Sequence, residues 1–314
     1  MNLFTSLRYV VALHEHRHFG RAAQACHISQ PALSNALRAL EEEFGTSIVK
    51  RGRVFEGFTP EGELIFQAAL RILHEHEQLK QELKSADGHP RGTLRIGAVP
   101  SVMPIAARFA AMLQARHPGI LPVVRSMSSP DIETGLETLA LDMGLGYMAR
   151  LGRRSMPFKT ILQYTEHYFL LRRASGLPSA SMRMGPELTW AEAARQPLCL
   201  LTPEMHNRAI VNAALAEAGA QVVPAMETDS VLALALSVLD GQVCSILPGA
   251  LVGAIRGFMA LEAVPLIQPT ITTPIGFMVL DMNRPSRALS AALALAEDAD
   301  WLRHAGDHSG LLGA

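Results

Sequence analysis

The sequence predicts two unlike parts joined by one long helix: a mainly α N-terminal domain, then an α/β module of two lobes. Three observations carry this. Apolar residues recur at helical spacing up to Thr59, an a/d seam runs from Pro60 to about Ala86, and beyond Gly92 strand-like and helix-like segments alternate.

Phe4, Leu7, Val10 and Val11 set the first amphipathic helix, which should fade near the polar run His14 to His18. A short alanine-rich helix, Arg21-Ala-Ala-Gln-Ala-Cys-His27, follows it. Ile28-Ser29 then turns the chain, and Gln30-Pro31 opens a third helix with Ser29 as its natural N-cap. Proline is tolerated there because the N–H it lacks has no partner in the first turn. Leu33, Ala36, Leu37 and Leu40 form the inward stripe, leaving Ser34, Asn35, Arg38 and Glu41 to Glu43 outward, and Gly45 ends the helix. Ile48 to Arg51 and Val54 to Thr59 read as two short strands around Gly52-Arg53, a small hairpin or wing.

Ile65, Ala69, Ile72, His76, Leu79 and Leu83 fit a heptad seam, so this stretch is a candidate dimerising linker. Asp87-Gly-His-Pro-Arg-Gly92 breaks it, giving divisions at 1–59, 60–89 and 90–314. In the last part, strands are expected at Thr93 to Val99, Leu121 to Ser126 and Met143 to Tyr147, with helices to His117 and near Asp131 to Leu141. A second set places strands near Lys159 to Leu171, Leu198 to Leu201, Val222 to Met226 and Ser245 to Leu247. Helices near Ala191, Asn207 to Ala218 and Ser230 to Asp240 separate them. Ile275 to Leu280 returns as a strand before a helix from about Ser286 to Arg303. The first lobe then spans about 90–162 and 268–314, and the second about 163–267.

At 314 residues, with 49% hydrophobic and 18% charged residues, the chain has material for more than one core. Net charge is −1, so contact with a polyanion must come from a local surface. Met1 to Thr59 carry seven basic against five acidic residues. Cys26, Cys199 and Cys244 are too few for a disulfide framework, and no signal peptide or spanning run is legible, so a cytoplasmic protein without membrane contact is expected. His14-Glu15-His16-Arg17-His18 matches the H-E-x-x-H zinc pattern. Phe19-Gly20 interrupts the continuous helix that such a site needs, so no metal is expected there. No nucleophile elbow, P-loop or dinucleotide fingerprint is present; the expectation is a non-enzyme with no catalytic residues and no cofactor.

The informative stretch is Ala22-Ala23, Cys26, Ile28-Ser29-Gln30-Pro31-Ala32-Leu33-Ser34, Leu37, Leu40-Glu41, Phe44-Gly45, Ile48 and Arg51. Two small alanines let helices approach closely, and Pro31 fixes the start of a helix whose first side chains can enter a major groove. Here the sequence resembles the LysR-type transcription regulators. The likeness extends through the linker, Leu94-Arg-Ile-Gly97 and Leu141-Asp142-Met-Gly-Leu-Gly146; Asn35, where the family often has a basic residue, and Phe58, for the usual leucine, depart from it.

The resemblance implies a winged helix-turn-helix, a linker helix and a two-lobed, periplasmic-binding-protein-like effector domain. It further implies a homodimer assembling to a homotetramer on an interrupted palindromic operator of double-stranded DNA, with RNA polymerase as a further partner. Carried over by position, Gln30, Pro31, Ser34, Asn35 and Arg38 face bases and nearby backbone, Lys50, Arg51 and Arg53 meet phosphates, and Ser29 and Thr59 are further DNA-contact candidates. A blander reading has Arg38 merely pairing with Glu41 and Glu42 in solvent.

Ligands in α/β sheets sit outside the carboxyl ends of strands. This nominates Pro100, Ser101, Val102, Ser128, Ser129, Thr202, His206 and Thr228 for a small organic acid or anion, although hydroxyl residues there also serve as helix caps. Two alternatives stand beside this reading: a thiol-based redox sensor using Cys199, which lies in an apolar run, and a solute-binding protein, which would not need residues 1–86.

Overall fold

In the computed structural model, residues 2–50, 55–84, 89–148, 158–175, 181–281 and 284–309 are described, and the chain forms two units, Met1–Gly88 and His89–Ala314. The first holds α1 (Leu3–His16), α2 (Phe19–Ala25), α3 (Gln30–Phe44) and α4 (Pro60–Lys84). Each start has its own cap: the Asn2 side chain accepts the Thr5 N–H, His18 accepts the Gly20 N–H, and Ser29 Oγ accepts the Ala32 N–H at 3.3 Å. Gly45, at φ 65°, ends α3 in the left-handed conformation that only glycine adopts without strain.

Leu7, Val10 and Leu13 of α1 pack with Ala22 and Ala23, with Leu33, Leu37 and Leu40, and with Ile48, Phe58, Phe66 and Ala69 in one buried core. Among the described residues a single antiparallel bridge joins Val49 to Phe58, and Arg51 to Val54, which include the expected Gly52-Arg53 tip, lie outside them. Glu41 explains how the wing is held. Its carboxylate is half-buried rather than outward, and accepts the Ile48 N–H at 2.7 Å and the Val49 N–H at 3.3 Å. Thr59 Oγ1 accepts the Gly62 N–H at 2.9 Å and donates to the Ser47 carbonyl, capping α4.

The linker seam divides along its length. Ala69 is buried and Ile65 partly buried in the unit's own core, and His76 packs on Phe4, with ring centres 4.6 Å apart. Ile72, Leu79 and Leu83 remain exposed.

The second unit contains β1 (Gly92–Ala98), a 3-10 turn (Pro100–Val102), α5 (Met103–Arg116), β2 (Ile120–Ser126), α6 (Ser129–Glu137), β3 (Met143–Tyr147) and β4 (Phe158–Glu166). After these come β5 (Tyr168–Arg173), β6 (Arg183–Met184), β7 (Leu188–Thr189), α7 (Trp190–Ala193), β8 (Leu198–Leu201), α8 (His206–Glu217), β9 (Met226–Thr228), α9 (Val231–Asp240), β10 (Cys244–Pro248), α10 (Gly249–Ala254) and β11 (Leu261–Ile267). The unit closes with β12 (Thr273–Leu280), α11 (Arg287–Ala296) and α12 (Ala299–Asp307).

One sheet has the order β2-β1-β3-β12-β4, with β1 parallel to β2 and β3, and β12 antiparallel to β3 and β4. The other runs β6-β11-β5-β10-β8-β9, with β7 beside β11. The chain therefore passes between sheets at His167 and returns between Ile267 and Thr273. The run expected as one strand from Lys159 to Leu171 is two strands of different sheets, and the first lobe continues to Glu166 rather than 162. The third strand of the second lobe lies at Met226–Thr228 rather than Val222 to Met226, and the last expected helix is two, broken at Glu297-Asp298.

In the second lobe, Phe169, Leu171, Cys199, Leu201 and Leu247 lie in one core, whereas Tyr168, Leu170, Leu198, Leu200 and Ile246 lie in another. Alternate residues of the same strands thus serve opposite faces, which is why these strands are apolar throughout. In the first lobe, Phe109 packs 4.5 Å from Phe277 and 5.0 Å from Trp301, ring centre to ring centre. The Trp301 Nε1–H donates to Gln163 Oε1, fastening α12 to β4.

Candidate functional site

On the first unit, the start of α3 is a polar surface. Ser29, Gln30, Pro31, Asn35 and Arg38 are exposed and Ser34 half-buried, while Leu33, Leu37 and Leu40 face the core. Gln30, Pro31, Ser34, Asn35 and Arg38 line one shallow groove, and a wider one continues from Gln30, Ser34 and Arg38 to Glu42, Ser47 and Lys50. The side-chain capping bond of Ser29 and the fixed start at Pro31 hold this end rigid.

No ion pair to Arg38 forms among the described residues, and Glu41 is occupied by the wing, so the solvated-pair reading of Arg38 loses its main partner. Lys50 is exposed; Arg51 and Arg53 lie outside the described residues. Thr59, a DNA-contact candidate, is half-buried, and its hydroxyl is committed to Ser47 and Gly62 as a cap.

In the second unit, a cavity of about 310 Å³ lies between the loops after β1 and β2, the end of β3, and the segment from β8 into α8. Pro100, Ser101, Ser128, Ser129 and His206 line it, together with Tyr147, Pro203, Glu204, Met205 and Asn207. Ser101, 3% exposed, is hydrogen-bonded to the Tyr147 hydroxyl at 2.7 Å. Burial pushes Tyr147 up to about 12, with Ser101 pulling the other way, so the phenol is neutral at ordinary pH. His206 meets Tyr147 edge to face, ring centres 4.6 Å apart.

Two groups at this cavity are orphaned. Ser129 Oγ and Asn207 Nδ2 are buried without a hydrogen-bond partner. Asn207 also draws the Tyr147 hydroxyl downward by side-chain hydrogen bonding, although its Nδ2 makes no bond of ordinary length and angle. Buried polar atoms are nearly always satisfied, so such atoms beside a cavity mark where a ligand or water completes the bonding.

Three expected residues fall elsewhere. Val102 is fully buried in the first lobe's core. Thr202 and Thr228 do not line the cavity: the Thr202 N–H donates to the Thr228 carbonyl, and Thr228 Oγ1 accepts the Ser230 N–H. Their segments brace each other. Tyr147 and Asn207 stand at an expected strand end and helix start but not among the expected site residues, although the strand-end rule applied to β3 would have found Tyr147.

At the thiols burial outweighs the activating contacts, the Arg172 charge near Cys244 and the Ser237 hydrogen bond to Cys199. Cys199 is fully buried in β8 and burial raises its pKa; burial also raises Cys26 and Cys244. No three-residue metal cluster of His, Cys, Asp or Glu exists among the described residues, and none of their helices is long and apolar enough to cross a membrane. His14 and His18 sit on different elements, since Arg17 ends α1 between them at φ 49°.

Residues 4–63 match the family described as bacterial regulatory helix-turn-helix protein, lysR family, and residues 87–301 match the LysR substrate binding domain. The chain belongs to the LysR family. Among curated LysR relatives, a hydrogen peroxide-inducible genes activator of Pectobacterium carotovorum subsp. carotovorum is 34% identical over 145 residues, 46% of this chain and 48% of the relative. An SDS degradation transcriptional activation protein of a Pseudomonas species is 37% identical over 145 residues, 46% of each chain. These matches span about half the length of the relatives. The crystal structure of full-length CbnR complexed with the target DNA shares the fold at TM-score 0.62, with 18% identity, covering 96% of this chain and 99% of that one.

Proposed function

We propose that this LysR-family chain is a DNA-binding transcription regulator whose second unit senses a small organic acid or anion, without turning it over. One observation carries the reading: a rigidly capped α3 presents Gln30, Pro31, Ser34, Asn35 and Arg38 on one open face, in a chain that also encloses a cavity with orphaned polar groups. Glutamine and asparagine match adenine edges and arginine matches guanine, while Lys50 supplies a phosphate contact. The DNA in the CbnR complex supports the same partner here.

Exposed Ile72, Leu79 and Leu83 on α4 support a homodimer, which pairs two recognition helices on an interrupted palindrome; a homotetramer and contact with RNA polymerase complete the assembly we propose, in the cytoplasm. Ligand occupancy favours one closure of the lobes and so shifts the assembly between DNA-bound arrangements.

A peroxide-responsive thiol switch is the second reading, favoured by the names of several relatives, which are hydrogen peroxide-inducible genes activators. The burial of Cys199 and the raised pKa of all three thiols oppose it, because a peroxide-reactive cysteine needs thiolate and access. Footprinting of the chain's own intergenic DNA, with and without small acids, tests the main reading. A variant with all three cysteines changed to serine separates the two: retained ligand response supports the organic-acid sensor, and loss of response to peroxide alone supports the switch.

A further inference from the structure

We infer that the cavity of the second unit selects monocarboxylates with a compact apolar body, Asn207 and Ser129 holding the single carboxylate, and that it rejects dicarboxylates. This rests on the ligand-sensing reading above and narrows it.

The anchor is the start of α8, a helix of 12 residues whose N-cap, Met205, makes no side-chain capping bond. The start of α8, with Asn207 in its first turn, therefore carries the partial positive charge of a helix terminus whose N-cap side chain makes no bond. The facing helix α6 is different. Ser128 Oγ already accepts the Asp131 N–H, and Pro130 has no N–H to offer, so α6 contributes mainly the Ser129 side chain.

Asn207 is 4% exposed and Ser129 7% exposed, both line the cavity, and both leave a polar atom unpartnered. A hydroxyl and an amide N–H are donors, which suit an acceptor-only group such as a carboxylate. Helix N-terminus and orphaned donors thus point to one anionic group.

Among the described residues the lining supplies no lysine or arginine for a second anion, and its one carboxylate side chain, Glu204, repels such a group. Arg208, the nearest guanidinium along α8, is tied to the Leu201 carbonyl and to Glu227. Of the other polar lining groups, Ser101 and Tyr147 bond each other, Ser128 bonds Asp131 and the His206 ring packs on Tyr147, while Val99, Pro100, Leu201, Met205 and Ala209 give an apolar wall for a hydrocarbon body. At about 310 Å³ the space is at the small end of ligand pockets.

Calorimetric titration of the full chain tests this with pentanoate, cyclohexanecarboxylate and 3-phenylpropanoate, against cyclohexanecarboxamide, cyclohexane-1,4-dicarboxylate and acetate. At least one of the three monocarboxylates binds, while amide, dicarboxylate and acetate bind at least tenfold more weakly. Asn207→Ala and Ser129→Ala each weaken the monocarboxylate about tenfold, and Asn207→Asp inverts the preference toward the amide, with thermal melts showing each variant folded. Equal binding of dicarboxylate or amide, unchanged affinity in folded Asn207→Ala and Ser129→Ala, or no binding by any of the three monocarboxylates overturns the inference. Operator selection by the same ligand-free protein is scored separately, so its loss counts against the regulator reading and its persistence isolates a failure to the cavity.

Discussion

The Glu166 carboxylate, at the end of β4, accepts the Ala250 N–H of α10 at 3.0 Å, so the last residue of a first-lobe strand caps a helix of the second lobe. The Tyr164 hydroxyl donates to the same carboxylate at 3.2 Å. Glu166 is 1% exposed, and complete desolvation outweighs these bonds, raising it from 4.5 to about 8. An acid raised in the fold binds its proton more tightly there than in the unfolded chain. Its contribution to stability is therefore complete below about pH 4.5 and is lost as pH climbs to about 8. Thermal melts from pH 5 to 9 should show the chain losing stability over this window more steeply than Glu166→Gln. Parallel curves for the two proteins would show that the carboxyl is not held protonated at the crossing.

Gly62 makes the second prediction. A Cβ at this position would fall on the Ile48 carbonyl oxygen, a backbone atom held in place by the Thr59 N–H. Gly62→Ala must push α4 away from the wing, at about 1–3 kcal/mol for overpacking a tight site. DNA binding should weaken while the second unit keeps its ligand affinity. Denaturant melts together with calorimetry check both halves, and an unperturbed melt would mean that the approach relaxes freely.

The recognition surface separates into two kinds of contact. Gln30→Ala and Arg38→Ala should each narrow the gap between operator and random duplex by about 1–3 kcal/mol, the worth of a good base-edge pair. Lys50→Ala should weaken both duplexes alike and lower the slope of log K against log salt by about 0.9. Gel shifts across a salt series read both quantities. Unchanged selectivity in both of the first two variants would remove α3 from base recognition.

Legibility in the sequence followed how local the cause was. The Ser29-Gln30-Pro31 corner is visible because a cap and a proline act within one turn. The split of Phe158 to Arg173 into two strands is not, because no glycine or proline marks His167 and only pairing with β12 on one side and β10 and β11 on the other divides the run. Strand β11 escaped notice because Pro265 interrupts an otherwise apolar segment, and α10 because its six residues are too few for a period. At the cavity, strand ends named the loops, but the orphaned state of Asn207 depends on what its neighbours bond, and no spacing rule encodes that.

The exposed end of α4 yields the last prediction. Ala69 and Phe66 satisfy the upper part of the helix within its own unit, yet Leu79 and Leu83 stay 53% and 70% exposed on the same heptad seam. Burying a leucine gains roughly 1.5–3 kcal/mol, so two per protomer supply enough to hold paired helices together. Leu79→Glu with Leu83→Glu replaces that gain by buried like charges. The variant should sediment as a species smaller than the parent and bind a two-half-site operator far more weakly, while an isolated half-site is bound almost as before. An unaltered sedimentation coefficient would move the dimer contact off this seam.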